Sequence, residues 1–143
     1  MDGKSLSKQQ RIDQHGEVFT PDACVKLALD LFPVEMWYDK NQKWIDNTCG
    51  EGAFLVEVKN RLMLTLVNDF PDEKDREQYI LDKLIFGIEL QEDNCQKCRR
   101  NLGLNEDGSN GHIICADALK YHYRFDELDT EATKDGFIWL TKK

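Results

Sequence analysis

The stretch Trp44-Ile45-Asp46-Asn47-Thr48-Cys49-Gly50-Glu51-Gly52-Ala53-Phe54-Leu55 limits this chain to few folds. A short apolar run ends on an acid, a turn with two glycines follows, and an apolar pattern of helical spacing begins. Glycine lacks a Cβ, so it accepts positive φ and lets the backbone come close to a small polar ligand. The first N–H groups of the following helix have no intrahelical acceptors and point at whatever sits there. Strand, tight turn and helix in that order open a parallel α/β unit.

The rest of the chain extends the pattern. Thr20 precedes Pro21, which suits an N-cap with proline at the first helical position. The helix so predicted runs through Ala23, Val25, Leu27, Ala28, Leu29, Leu31 and Phe32 and stops at Pro33. Val34 to Lys43 reads as a loop or short turn carrying Trp37 and Tyr38. Lys43 to Asp46 is the first strand. Gly52 to about Val67 is a helix, with Phe54, Leu55, Val58, Leu62 and Leu66 at helical spacing. Asn68 to Gln78 is polar and contains Pro71, so it reads as a loop with helical pieces, and Tyr79 to Lys83 adds one helical turn. Leu84 to Leu90 is the second strand, Asp93 to Leu102 the second crossover helix, Asn105 to Gly111 a turn cluster, and His112 to Asp117 the third strand. Residues 1–15 lack an apolar period and are expected to be mobile, leaving residues 16–143 as a single domain.

Asp46, Glu89 and Asp117 each close one of the three strands. Parallel sheets bind ligands beyond the carboxyl ends of their strands. An ionised carboxylate only accepts hydrogen bonds, so three of them suit a ligand rich in donors. Glu89 or Asp117 alone would be an ordinary solvated acid; their order and strand-end placement reverse that preference. The spacing departs from a dinucleotide fingerprint, which wants a third glycine where Leu55 stands and an acid about 20 residues on. Glu89 is 37 residues past Gly52.

Charge bears on partners. The net charge is −8, and the basic residues are scattered apart from Lys97, Arg99 and Arg100 and the terminal Lys142 and Lys143. Nucleic-acid binders draw most of their affinity from a basic patch, so another chain or domain would have to supply the grip on DNA. No apolar run could span a membrane, and the N-terminus lacks the apolar core of a secretory signal, which points to the cytoplasm. Five cysteines at irregular spacing argue against a disulfide framework there. Cys95 and Cys98 form one C-x-x-C with no second pair, so they read as helix-face residues and no metal is expected. Cys49 reads as a small turn residue, since a nucleophile would want a histidine nearby. Tyr121-His122-Tyr123-Arg124-Phe125 mixes aromatics with a cation, as base-stacking surfaces do, but sheet-edge packing is the preferred reading.

Four segments, in the right order, resemble the cofactor half of adenine-specific N6 DNA methyltransferases, which use S-adenosylmethionine (SAM). Gly16-Glu17-Val18-Phe19-Thr20-Pro21 is similar to the family's N-terminal Thr-Pro motif. Asp46 to Leu55 is similar to its Asp-x-x-Cys-Gly-x-Gly-x-Phe-Leu motif, Phe86-Gly87-Ile88-Glu89-Leu90 to its second-strand motif, and Ala116-Asp117-Ala118-Leu119 to its third-strand motif. The match covers roughly residues 11–120, and its first two motifs together are specific.

The resemblance implies a three-layer Rossmann-like SAM-dependent methyltransferase fold with a mostly parallel sheet, truncated after the third or fourth strand. It places Thr20 and Pro21 near the methionine end of SAM, Asp46 at the amino group, and Gly50 and Gly52 beneath it. Glu89 would accept from the ribose hydroxyls and Asp117 from the adenine amino group. Asn47, Cys49, Phe54, Leu90 and Ala118 complete the implied cofactor-binding set. DNA is the implied substrate, with recognition supplied by another chain or domain in a hetero- or homo-oligomer.

One departure is as informative. The family carries Asp/Asn-Pro-Pro-aromatic at the end of the fourth strand, where it grips a flipped adenine. The prolines here are Pro21, Pro33 and Pro71, so Lys120 to Lys143 cannot hold that motif. Arg124 to Leu128 resembles the lead-in to that strand, and Phe137-Ile138-Trp139-Leu140 reads as a short strand with no tetrad behind it. The catalytic residues therefore go unnamed. Three readings remain: a SAM-binding domain whose site is completed from elsewhere, a non-catalytic SAM-binding, regulatory or anti-restriction module, and an acidic DNA mimic without SAM affinity.

Overall fold

A computed structural model of the chain describes residues 21–121. Thr20, the segment before it, and the residues from His122 onward lie outside the described residues, and with them the expected mobile N-terminus and the strand at Phe137 to Leu140. Three short parallel strands form the sheet: β1 (Trp44–Asp46), β2 (Ile85–Glu89) and β3 (Ile113–Cys115), with β2 in the centre. Register pairs Asp46 with Gly87 and Glu89 with Cys115, so the strands end at nearly the same level. The α/β architecture is the expected one.

Side chains alternate across the sheet, as a period of two requires. Ile85 and Ile113 face one core, and Phe86 and Ile88 face the other side with Ile114, Ala116, Ala118 and Tyr121. Tyr121 packs on the sheet over its central strand and not at its edge, and His122 to Phe125 lie outside the described residues. The first core takes side chains from every described helix: α1 (Asp22–Leu29), α2 (Val34–Trp37), α3 (Ala53–Thr65), α4 (Glu73–Tyr79) with the π-helical turn Ile80–Leu84 that continues it, and α5 (Glu92–Leu102). Among the described residues no helix is long and apolar enough to cross a membrane.

Two local expectations, both on the first helix, are corrected. Pro21 is the N-cap of α1, not its first helical residue; its ψ of 147° is extended, and its carbonyl accepts from the Val25 N–H at 3.1 Å. The helix also stops at Leu29, because Leu31 and Phe32 bond back three residues in tighter turns. That swings Phe32 edge-on against Trp44, with ring centres 5.3 Å apart. Val34–Trp37 is a helical turn, which brings Trp37 flat onto Trp44 at 4.2 Å. Glu73–Tyr79 is helical: Asp72 caps it by accepting from the Asp75 N–H at 3.0 Å, and the helix runs on to bury Ile80, Leu81 and Leu84.

Arg61 joins three of these helices. From α3 it reaches Asp30 at 2.9 Å, Glu57 at 3.0 Å and the Lys26 carbonyl at 3.3 Å, and its guanidinium lies 5.1 Å from the centre of the Trp37 ring. Thr65 donates to the Trp37 carbonyl from the same helix. The glycine turn thus leads into a helix held firmly against its neighbours.

Candidate functional site

The site grows from the end of β1. Its last residue, Asp46, is partly buried, and its Oδ1 accepts from the Thr48 N–H at 3.0 Å. The turn then uses the next two amides in succession. Cys49 N–H donates to the Ile88 carbonyl at 3.0 Å, and Gly50 N–H donates to Glu89 Oε1 at 3.0 Å. The turn closes on itself where Gly52 N–H meets the Cys49 carbonyl at 2.8 Å.

Both turn glycines are required, for different reasons. Gly50 has φ +54°, and a Cβ there would meet nothing within 4 Å. Backbone conformation alone demands glycine, and the space over it is open to a ligand. Gly52 has φ +96°, and a Cβ there would sit 2.9 Å from Cys98 Sγ on α5. Conformation and close approach both act on that residue. From one turn further along α5, Asn101 donates to the Glu51 carbonyl at 2.9 Å and pins the turn from outside.

Glu89 ends β2 with both carboxylate oxygens engaged. Oε1 takes Gly50 N–H, and Oε2 takes Gln91 N–H at 3.0 Å. Each oxygen keeps a further lone pair for a ligand donor. Asp46 feels this neighbour: burial pushes its carboxyl above the ordinary range, the Thr48 N–H pulls it back, and the charge on Glu89 pushes it up again. Two carboxylates sharing a half-buried site favour a cation between them.

Asp117 lies two residues past β3, in a turn of its own. Its Oδ1 accepts from the Leu119 N–H at 2.9 Å, and its carbonyl accepts from Lys120 and Tyr121. It is exposed, and its hydrogen bonds are local ones that do not reach Asp46 or Glu89. Ala118 packs toward Phe86 and Ile88. Leu90 is 70% exposed beside Glu89, and Asn47 is exposed at the start of the turn. Phe54 packs against the core from the first turn of α3. Pro21 is exposed at the head of α1, which packs on α3. Thr20 lies outside the described residues.

Cys49 is buried, and its thiol is pushed far up by its hydrogen bond with Cys98 and by burial. It is a packing residue of the turn and no thiolate. Cys95 and Cys98 are buried on α5, and the Cys95 thiol donates to the Glu89 carbonyl at 3.3 Å. Sequence reasoning missed Cys98 and Asn101 as supports of the turn. Their spacing of three on one helix was the available signal, since it puts both on the face that meets the turn.

Behind the site, Arg99 anchors β3. It is 7% exposed, and its Nε and Nη2 donate to the Ile113 carbonyl at 3.1 and 2.8 Å, while Nη1 donates to the Glu106 carbonyl at 2.9 Å.

Comparison with known proteins bears on what this arrangement is. A family model described as N-6 DNA Methylase matches residues 6–133. An uncharacterized adenine-specific methylase of Mycoplasma pneumoniae (strain ATCC 29342 / M129 / Subtype 1) is 35% identical over 89 residues, covering 60% of this chain and 21% of that protein. A crystal structure of a modification subunit of a putative type I restriction enzyme from Vibrio vulnificus YJ016 matches with a TM-score of 0.52 at 20% identity, over 79% of this chain and 22% of that one. At that identity the likeness is one of fold. The chain spans about a fifth of the length of each.

Proposed function

The chain belongs to the N-6 DNA methylase family, and we propose that its strand-end carboxylates and glycine turn bind SAM for methylation of adenine in DNA. The observation that carries this reading is the joining of the β1 turn to the end of β2 by Glu89. It brings two carboxylates, Asp46 and Glu89, to one half-buried place beside an open glycine. SAM presents an ammonium, a sulfonium, two ribose hydroxyls and an exocyclic amine, and the donor and acceptor inventories match. Asp46 would hold the ammonium, with Asn47, Gly50 and Gly52 shaping the turn under it. Glu89 would take the ribose hydroxyls beside Leu90, and Asp117 with Ala118 the adenine edge. Pro21 and its neighbour Thr20 would stand at the methionine end.

When bound, SAM supplies an electrophilic methyl group to the adenine amino nitrogen. The chain's part in that reaction is to position the donor. The grip on the target base, and recognition of DNA, would come from another chain or domain, consistent with a chain that spans about a fifth of its relatives. Restriction-modification is the setting suggested by the Vibrio subunit. Calorimetry with SAM tests the reading: Asp46→Ala and Glu89→Ala should each weaken binding by about tenfold or more. Unchanged affinity in both variants would refute the assignment.

A second reading is a SAM-binding module without transfer activity. A methylation assay on adenine-containing DNA with this chain alone separates the two, because robust transfer sinks the non-catalytic reading.

A further inference from the structure

Glu89 does something that a simple ribose acceptor need not do. β1 and β2 pair in parallel up to Asp46 and Gly87. Beyond that point β1 turns away, yet its amides continue to find β2: Cys49 N–H takes the backbone carbonyl of Ile88, and Gly50 N–H takes the side chain of Glu89, both at 3.0 Å. The carboxylate therefore takes over as acceptor where the backbone ladder runs out. Its other oxygen is fixed by Gln91 N–H at 3.0 Å, so the group that holds the turn is itself held.

Gly50 needs such a hold. It is the residue type with most conformational freedom, at φ +54°, and nothing stands within 4 Å of where a Cβ would be. Packing does not fix it from that side; its amide is fixed by the carboxylate. Gly52, by contrast, is wedged against Cys98 and Asn101 holds the carbonyl between them.

We propose that Glu89 is a positioning residue for the glycine turn as well as a ligand for ribose. It sets the backbone at Gly50 before any ligand arrives, and so acts on the methionine half of the cofactor site, which its side chain does not contact. This rests on the SAM reading above and deepens it. The division of labour is one oxygen per turn, with the second lone pairs left for the ribose.

Two measurements on the full chain test this. In the ligand-free protein, the Gly50 amide exchanges with solvent at least about tenfold more slowly than in an unstructured peptide, and the protection is lost in Glu89→Ala, which removes both acceptor oxygens. Exchange at the unstructured rate in the unmodified chain overturns the proposal. The second measurement uses calorimetry with SAM and with a SAM analogue lacking both ribose hydroxyls. A positioning role predicts that Glu89→Ala weakens the analogue by about three- to tenfold, although the analogue has no hydroxyl for Glu89 to accept from. If the variant weakens SAM and leaves the analogue untouched, Glu89 is a ribose contact only, and the SAM reading survives without the positioning role. If the unmodified chain binds neither compound, the SAM reading fails and the role in cofactor binding falls with it. Glu89→Asp, which keeps the charge and withdraws the carboxylate by one methylene, serves in the same assays should Glu89→Ala fail to fold; a positioning role predicts the same two losses.

Discussion

Gly52 lies so close to Cys98 that a single methyl on residue 52 would come within 2.9 Å of the sulfur. The turn and α5 are therefore fitted to one another at a point where neither can grow. Gly52→Ala should cost about 2–4 kcal/mol, the sum of a left-handed backbone and an overpacked contact. Gly50→Ala meets only open space and should cost about 1–2 kcal/mol from conformation alone. Urea unfolding of both variants checks the order, and equal losses would contradict it.

The same fit recurs under the turn. A Cβ on Gly87 would come within 2.8 Å of Leu55, 2.9 Å of Ile113 and 3.0 Å of Cys49 Sγ. Gly87→Ala should destabilise by about 1–3 kcal/mol. Adding Leu55→Ala should cost less in that background than in the unmodified chain, since part of the crowding is relieved. A double-mutant cycle with no coupling would show that the strand and α3 are not in firm contact there.

Acidity offers a test of Asp46. Its folded carboxyl sits above the ordinary value of 3.8, chiefly through burial. The folded chain therefore holds that proton more tightly than the unfolded chain does. The stabilisation this brings is complete below 3.8 and fades as pH rises through the raised value. Above it the charged, half-buried carboxylate is a liability to the empty site. Asp46→Asn should leave ligand-free stability at neutral pH unchanged or raise it by up to about 1 kcal/mol. A cationic ligand reverses the balance, so SAM affinity should drop as the pH is lowered through the raised value, with proton release on binding. Calorimetry across pH in two buffers checks this, and Asp46→Asn should flatten the acid limb.

Arg99 predicts a contrast between side chain and backbone. Its guanidinium serves two carbonyls from a buried position, with two nitrogens on Ile113. A lysine cannot reproduce that fork, so Arg99→Lys should cost about 2–4 kcal/mol. Glu106→Ala keeps the carbonyl that Arg99 uses and removes only the exposed partner of Arg100. It should leave the melting temperature nearly unchanged. A comparable fall in both would place the stabilisation in the surface pair instead.

The strands were legible as short apolar runs that each lead to an acid, and the helices next to the turn by apolar positions three to four residues apart. β1, β2, β3, α3 and α5 all end within two residues of their expected spans. The short helix at Val34 and the capped helix at Glu73 were not legible in the same way. The first is too short to show a period, and it forms because Trp37 finds Trp44. The second opens on charged residues and buries its apolar ones only after Tyr79, so its signal was the Asp72 cap and not its hydrophobicity. Asp46 and Glu89 could be placed by counting to the ends of strands, whereas Asp117 falls two residues beyond β3. Cys98 and Asn101 offered only their spacing of three on one helix, since their part depends on which face of α5 docks against a turn some 50 residues earlier.

The Gly50–Glu89 hydrogen bond joins residues 39 apart in the chain. Closing so long a loop has to be paid in entropy before the contact returns anything, which makes the site a late event in folding. Cys49, Gly50 and Gly52 emerge from the ribosome well before β2, with α3 and α4 still to be made between them. A nascent chain that ends short of residue 89 would contain every glycine of the turn and lack the carboxylate that shapes it.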